Sequence, residues 1–331
     1  MRVHELVRLL TSYAPLVGLA PRPEPRPNGI SALVRVRGDE EWIEPCLRSV
    51  RAFADEAVVL DNGAAPDTRE SLARVARELG GFLRLESCPD LDFVTLSNRG
   101  LALARYRWLI RWDADFVAYT SGPHDTRGLR RYLLDLDPRR YYLVYVRAAE
   151  VAGDLFHQFP DLRDRYDGQA AVWSAALRYV AIGRTLPVER LATPDRVLRN
   201  GGTVRHTLEA LATPRYYRVT RWPAPAYLHV NVKSGRRLLL RHFWLEWLDA
   251  SRRAPAPPLD EYVRRRVGEE WGLGDLDAAE RAYVTAYCKR LVPFDTARYG
   301  PYPDALTAYL DRPRYRVEYR DGVVVGRSER R

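Results

Sequence analysis

Trp108-Leu-Ile-Arg-Trp-Asp-Ala-Asp-Phe116 is an apolar strand that runs straight into two carboxylates one residue apart. Two anions at the end of a buried strand repel each other, so they persist only beside a cation, arginine partners or a proton. Magnesium or manganese suits such a pair, because hard divalent cations take oxygen ligands and often bind one or two carboxylates together with substrate phosphates. On spacing alone, a helix N-cap or a pair of solvated loop aspartates accounts for Asp113 and Asp115 equally well. The surrounding pattern has to decide.

Upstream, strand-like and helical stretches alternate. Ile30 to Val36 is an apolar, β-branched run, and Glu41 to Ala54 has helical spacing through Trp42, Cys46, Leu47, Val50 and Phe53. Glu56 to Leu60 reads as strand, Asp67 to Leu79 as helix, Phe82 to Leu85 as strand and Asn98 to Tyr106 as helix, before the strand from Trp108. This alternation predicts a parallel sheet covered by helices, an α/β fold in which ligands sit beyond the carboxyl ends of the strands. Asp61-Asn62-Gly63 stands at one such end and by itself reads as a simple turn before a nucleotide contact, while Arg35 and Arg37 stand at another.

These pieces together resemble family 2 glycosyltransferases and their GT-A-fold relatives over roughly residues 30 to 119. The matching segments are Ile30-Ser-Ala-Leu-Val-Arg-Val-Arg-Gly-Asp-Glu40, Trp42-Ile-Glu-Pro-Cys-Leu-Arg-Ser-Val50, Glu56-Ala-Val-Val-Leu-Asp-Asn-Gly63, Asn98-Arg-Gly-Leu-Ala-Leu-Ala-Arg105 and Trp112-Asp-Ala-Asp115. The resemblance implies a Rossmann-like mixed sheet flanked by helices and metal-dependent transfer of a sugar from a UDP- or GDP-linked donor to a hydroxyl acceptor. It implies that Asp61 contacts the base, that Arg35 and Arg37 line the nucleotide site, and that Asn98 or Arg99 lies near the ribose. Asp115 would bind Mg2+ or Mn2+, with Asp113 assisting it or the ribose. Gly38, where the family often has asparagine, and Ala64-Ala65, where serine or threonine is common, depart from the pattern.

Further along, Tyr227-Leu-His-Val-Asn-Val-Lys-Ser234 follows a hydrophobic stretch. On a strand His229, Asn231 and Lys233 share one face, where they are expected to look at a diphosphate. The resemblance to GT-A enzymes implies a late histidine closing the metal site, and neutral imidazole is a competent ligand, so His229 joins Asp113 and Asp115 as a candidate metal ligand and Lys233 is a candidate for the diphosphate. An inverting transfer also needs a carboxylate base within reach of the acceptor hydroxyl; Asp154 and Glu189 are the candidates, and a retaining one dispenses with it. His242 is expected to pack on the aromatic helix that follows it.

Residues 1–28 read as a short amphipathic helix and a stiff linker through Pro21, Pro23, Pro25 and Pro27, 29–245 as the transferase domain, and 246–331 as a helical appendage. The pattern from 150 to 225, rich in Asp, Arg and aromatic residues, assigns no path. Tyr315 to Tyr319 and Val323 to Val325 flank Asp321-Gly322, a tight-turn pair, and predict a terminal β-hairpin followed by a frayed tail from Arg327.

Composition excludes some classes. The three cysteines at long spacings suggest neither a disulfide framework nor a zinc cluster, and the interrupted apolar runs offer no membrane span, so a cytoplasmic protein with at most peripheral contact with the inner membrane face is expected. The formal charge of +10 is almost wholly arginine, since Lys233 and Lys289 are the only lysines. The arginines are dispersed among acidic residues, so a basic nucleic-acid-binding protein is the weaker alternative, and no specific nucleic-acid partner is expected. A sugar-phosphate nucleotidylyltransferase shares the nucleotide-binding half-sheet and a metal, but its glycine-rich phosphate loop is missing from the first strand. The expected partners are a nucleotide-sugar donor and a carbohydrate, lipid-linked or small-molecule acceptor.

Overall fold

The computed structural model describes residues 3–160, 166–187, 190–193, 196–198 and 203–330. The amino-terminal half builds the expected alternation. After α1 (Val3–Thr11) and the proline-rich strap come β1 (Ile30–Gly38), α2 (Ile43–Val50), β2 (Glu56–Ala64), α3 (Pro66–Leu79), β3 (Leu83–Ser87), α4 (Phe93–Leu103) and β4 (Trp108–Asp113). The strands are apolar runs buried on both faces, as parallel strands covered by helices must be. α3 starts on Pro66, whose fixed φ and missing N–H suit a first helical turn, and α4 starts where Asp92 accepts the amides of Val94 and Thr95. That cap puts the start of α4 five residues before the expected Asn98.

The strands β1 to β4 are mutually parallel in the order β3-β2-β1-β4. The second half of the sheet is mixed. It adds β5 (Phe116–Ala118), α5 (Thr126–Asp135), β6 (Tyr142–Ala152), the two-residue β7 (His157–Gln158) and β8 (Tyr166–Val172). A long arm follows, made of β9 (Arg178–Pro187), β10 (Arg190–Thr193), β11 (Arg196–Leu198) and β12 (Thr203–Ala212), and then β13 (Arg218–Asn231). The full sheet order is β3-β2-β1-β4-β8-β6-β13-β5, with β8 antiparallel to both neighbours and β5 antiparallel to β13.

One consequence of that order positions the site. β4 and β5 are separated only by Ala114 and Asp115, yet β5 lies beyond β13, four strands from β4 in the sheet. A two-residue connection spans less than about 11 Å, so the sheet has to curl until the ends of β4 and β13 meet. The Trp112 indole donates to the Phe116 carbonyl across the turn, and Phe116 stacks on Tyr227 of β13 at 4.3 Å. Aromatic packing inside the curl thus holds the two carboxylates of the turn against β13.

The remaining elements are α6 (Gly235–Arg253), α7 (Leu259–Trp271), α8 (Leu276–Cys288), β14 (Val292–Pro293), α9 (Thr296–Tyr299), α10 (Thr307–Asp311), β15 (Tyr315–Arg320) and β16 (Val323–Glu329). α6 is continuous through residue 245, where a domain boundary was expected, and α6 to α8 share their own apolar cluster around Leu239, Phe243, Val263 and Val267. The terminal hairpin is present, with Asp321 and Gly322 at positive φ in its turn. The expected frayed tail is a correction: β16 runs to Glu329, and Arg327 donates to the carbonyls of Gly153 and Lys233 and lies over Tyr315. Hydrogen bonds from a residue near the chain end override the bias of a charged tail toward disorder.

Gly153 follows β6 with φ at 78°, and a Cβ there would run into the Leu291 side chain. Gly153→Ala therefore combines an unfavourable backbone with a clash, and a loss of about 1–3 kcal/mol is expected in urea unfolding.

Candidate active site

The turn after β4 separates the fates of its two carboxylates. Asp113, one-third exposed, lies 3.5 Å from the Arg35 guanidinium and 3.4 Å from that of Arg111. Asp115 is turned into the curl. Its Oδ2 accepts from Lys233 Nζ at 2.8 Å and lies 3.4 Å from His229 Nε2, and its backbone carbonyl accepts from Val230. Burial alone would raise the Asp115 carboxyl, but Lys233 and His229 outweigh it and hold the group well below the usual carboxylate range. Burial would likewise lower the His229 imidazole, yet Asp115 and then Glu150 push it up to about 10. Asp113 acts first on the Arg111 guanidinium and raises it above its ordinary value.

His229 pairs with Glu150 across the parallel β6–β13 ladder, and its Nδ1 stands 3.5 Å from Glu150 and 3.6 Å from Asp167 of β8. Asn231 donates to Glu150 Oε1 at 3.0 Å. Alternation along β13 therefore puts His229, Asn231 and Lys233 into one polar cluster with Asp115 and Glu150. A second knot lies beside it: Arg35 Nη1 donates to Ser97 Oγ at 2.9 Å and to Glu209 Oε2 at 2.8 Å, while its Nη2 is the atom near Asp113. Glu209, on β12, has a side chain only 8% exposed, so the arm closes over Arg35.

Other expected site residues fall elsewhere. Asp61, at the end of β2, accepts the amides of Gly63 and Ala64 with Oδ1 and Arg69 with Oδ2, and these contacts outweigh burial and lower its carboxyl. Asn98 exchanges both of its amide bonds with the backbone of Tyr179, which ties α4 to β9. Arg99 pairs with Glu86 at the surface, and Arg37 is exposed. Asp154 does not join the cluster. It is fully buried, with Oδ1 accepting from Phe156 N and His157 Nδ1 and Oδ2 accepting from Val317 N at 2.7 Å. Those bonds tie Asp154 to the terminal hairpin. Glu189 lies outside the described residues.

Glu150, Asp167 and Glu209 were missed. Each is one acidic residue among many in 150 to 210, with no local pattern to mark it. The signal available was register: once His229 is placed on β13, its parallel partner on β6 is the residue to examine.

No family model matches the sequence. The chain is 26% identical over 312 residues to a TPR repeat-containing protein of Synechococcus elongatus, covering 88% of this chain and 73% of that one. Among solved structures it is similar to the mannosyltransferase PcManGT from Pyrobaculum calidifontis, in complex with GDP-Man and Mn2+, at a TM-score of 0.39 and 15% identity over 93% of this chain and 91% of that one. It is also similar to S. aureus TarS 1-349 in complex with UDP-GlcNAc, at a TM-score of 0.36 and 14% identity over 88% and 95% of the two chains.

Among the described residues no group of three or more His, Cys, Asp or Glu side chains is already arranged around a metal position. Asp115 and His229 stand close enough to share one, once the cation displaces the proton held on the imidazole. Their facing atoms, 3.4 Å apart, are close enough for both to reach one cation at about 2.1 Å each, and hard cations of this kind leave further positions to phosphate oxygens. Lys233 is the internal cation at that carboxylate.

Proposed function

We propose that the chain is a glycosyltransferase that moves a sugar from a nucleotide-diphosphate donor to a hydroxyl acceptor with a divalent cation. The observation that carries this reading is the meeting of the Asp113-Ala-Asp115 turn with His229 and Lys233 at the carboxyl ends of β4 and β13. Open α/β sheets bind their ligands at such strand ends.

In this reading Asp115 and His229 hold Mg2+ or Mn2+, with Asp113 beside them for the metal or the ribose. The cation, when bound, supplies charge stabilisation for the departing diphosphate. Lys233 sits where its ammonium serves the same phosphates, and Arg35 and Arg111 hold Asp113 in position. Asp61 stands at the neighbouring strand end for the base. With Asp154 enclosed, a base for an inverting displacement comes from the carboxylates at the cluster, Glu150, Asp167 and Glu209.

The test is calorimetric titration of UDP and GDP in the presence of manganese, magnesium or EDTA, comparing the wild type with Asp113→Asn. Asp113 is partly exposed, so this variant should fold. Metal-dependent binding of one nucleotide, weakened about tenfold or more in the variant, is the expected result. Absence of binding to either nucleotide in all three conditions would overturn the reading.

A further inference from the structure

Exposed large apolar side chains concentrate in one short segment: Leu6, Val7, Leu10, Tyr13, Val17 and Leu19, reaching 63% exposure at Leu10, 68% at Val17 and 83% at Leu19. The segment comprises α1 and the turns that continue it. Its inward side, where Pro15 is buried and Leu9 and Leu16 are half-buried, is firmly tied by polar contacts. Ser12 is fully buried and accepts from Arg140 Nη2 at 2.6 Å, Thr11 Oγ1 donates to the Arg215 carbonyl at 2.8 Å, and the Arg140 guanidinium lies 4.1 Å over Tyr13. A helix docked on a soluble domain normally buries its apolar side and shows its polar one. Here large apolar side chains also stand on the outward side, so that face suits an apolar phase.

Arginines surround that face. Arg8 reaches from α1 to Thr213, Arg22 and Arg215 are exposed, and Arg139 follows close by, paired with Asp137. Glu24 is the exposed acid within the strap. A second copy seated on this face would bring the same arginines against each other, because a two-fold contact is self-complementary. An anionic bilayer offers the opposite charge at its headgroups and an apolar layer just beneath.

We propose that the segment from Leu6 to Leu19 is a membrane-contact face for bilayers carrying anionic lipid. Leu10, Val17 and Leu19 enter the boundary between headgroups and acyl chains, and the exposed Arg22 and Arg215 meet the anionic headgroups. The segment adjoins the amino-terminal ends of β6 and β13, where Arg218 N donates to the Tyr141 carbonyl. Glu150 stands eight residues beyond Tyr142 on β6, about 26 Å at 3.3 Å per residue. The Asp115–His229 cluster therefore lies at the opposite strand ends from the lipid.

The experiment is co-sedimentation of the full chain with vesicles of phosphatidylcholine alone or mixed with phosphatidylglycerol, at low and high salt. Binding to the mixed vesicles, weaker in high salt, is expected. The double variant Leu10→Glu, Val17→Glu should lose at least about tenfold in binding, since burial of one such side chain is worth that much or more. Its melting temperature should stay that of the wild type, because both positions are exposed. Failure of the wild type to bind mixed vesicles, or undiminished binding by the double variant, overturns the proposal. So does a dimer in light scattering that the same variant dissociates, which would assign the face to a second copy. None of these readouts depends on sugar transfer.

Discussion

Asp115→Ala is expected to cost about 3–5 kcal/mol of stability and to abolish metal-dependent nucleotide binding. The two losses have one origin. Lys233 is only 4% exposed, and its ammonium is neutralised by Asp115 at 2.8 Å, with His229 on the same carboxylate. Alanine leaves a buried cation without its partner and an imidazole without the charge that raises it. Asp115→Asn keeps the shape and an acceptor for Lys233 but no charge, so it should fall between wild type and alanine. Adding Lys233→Met to Asp115→Ala removes the stranded cation and should restore most of the stability in urea unfolding, with binding still absent in calorimetry. Equal stability of wild type and Asp115→Ala would show that the pair is not formed in solution.

The pH dependence of that difference has a defined sign. The folded Asp115 carboxyl is held below its ordinary value, so its contribution is full above about pH 4, the unfolded value, and fades as the pH falls toward the folded one. Without added metal, the gap between wild type and Asp115→Ala should narrow in acid.

Asp154→Ala should be about as destabilising, for a purely structural reason. Its carboxylate is the acceptor for two backbone amides and for His157, whose Nε2 lies 2.7 Å from the Tyr319 hydroxyl. Stranding buried donors costs about 1–3 kcal/mol each, so a loss of roughly 3–5 kcal/mol is expected. The hairpin should open first, with trypsin cutting at Arg316 and Arg320 before other sites. Nucleotide binding per folded molecule should stay at the wild-type level. Loss of sugar transfer with unchanged stability would instead return Asp154 to the role of a base.

The half of the fold built from local signals was readable. Apolar runs ending in Arg35, Asp61 and Asp113 marked β1, β2 and β4, because each strand is buried on both faces and stops where it reaches polar loops. That His229, Asn231 and Lys233 share a face was read from strand alternation and their link to Asp115 from the family resemblance, whereas the curl that joins them was not legible, because it follows from sheet order and from the shortness of one turn. Asp154 shows the opposite failure. A lone acid between Val151 and Phe156 carries no mark that three donors enclose it, one of them 163 residues away. Glu209 was obscured likewise, since its partner Arg35 is 174 residues distant.

The β5–β13 ladder holds only three residue pairs, Tyr227 with Ala118, Leu228 with Val117 and His229 with Phe116. It acts as a hasp: Asp115 precedes one side of the clasp, and His229 belongs to the other. The carboxylate and the imidazole cannot drift apart unless the hasp opens, so closure of the sheet and integrity of the cluster are one property. Any adjustment to ligands of different size must then come from parts outside the hasp, chiefly the β9–β12 arm that carries Glu209.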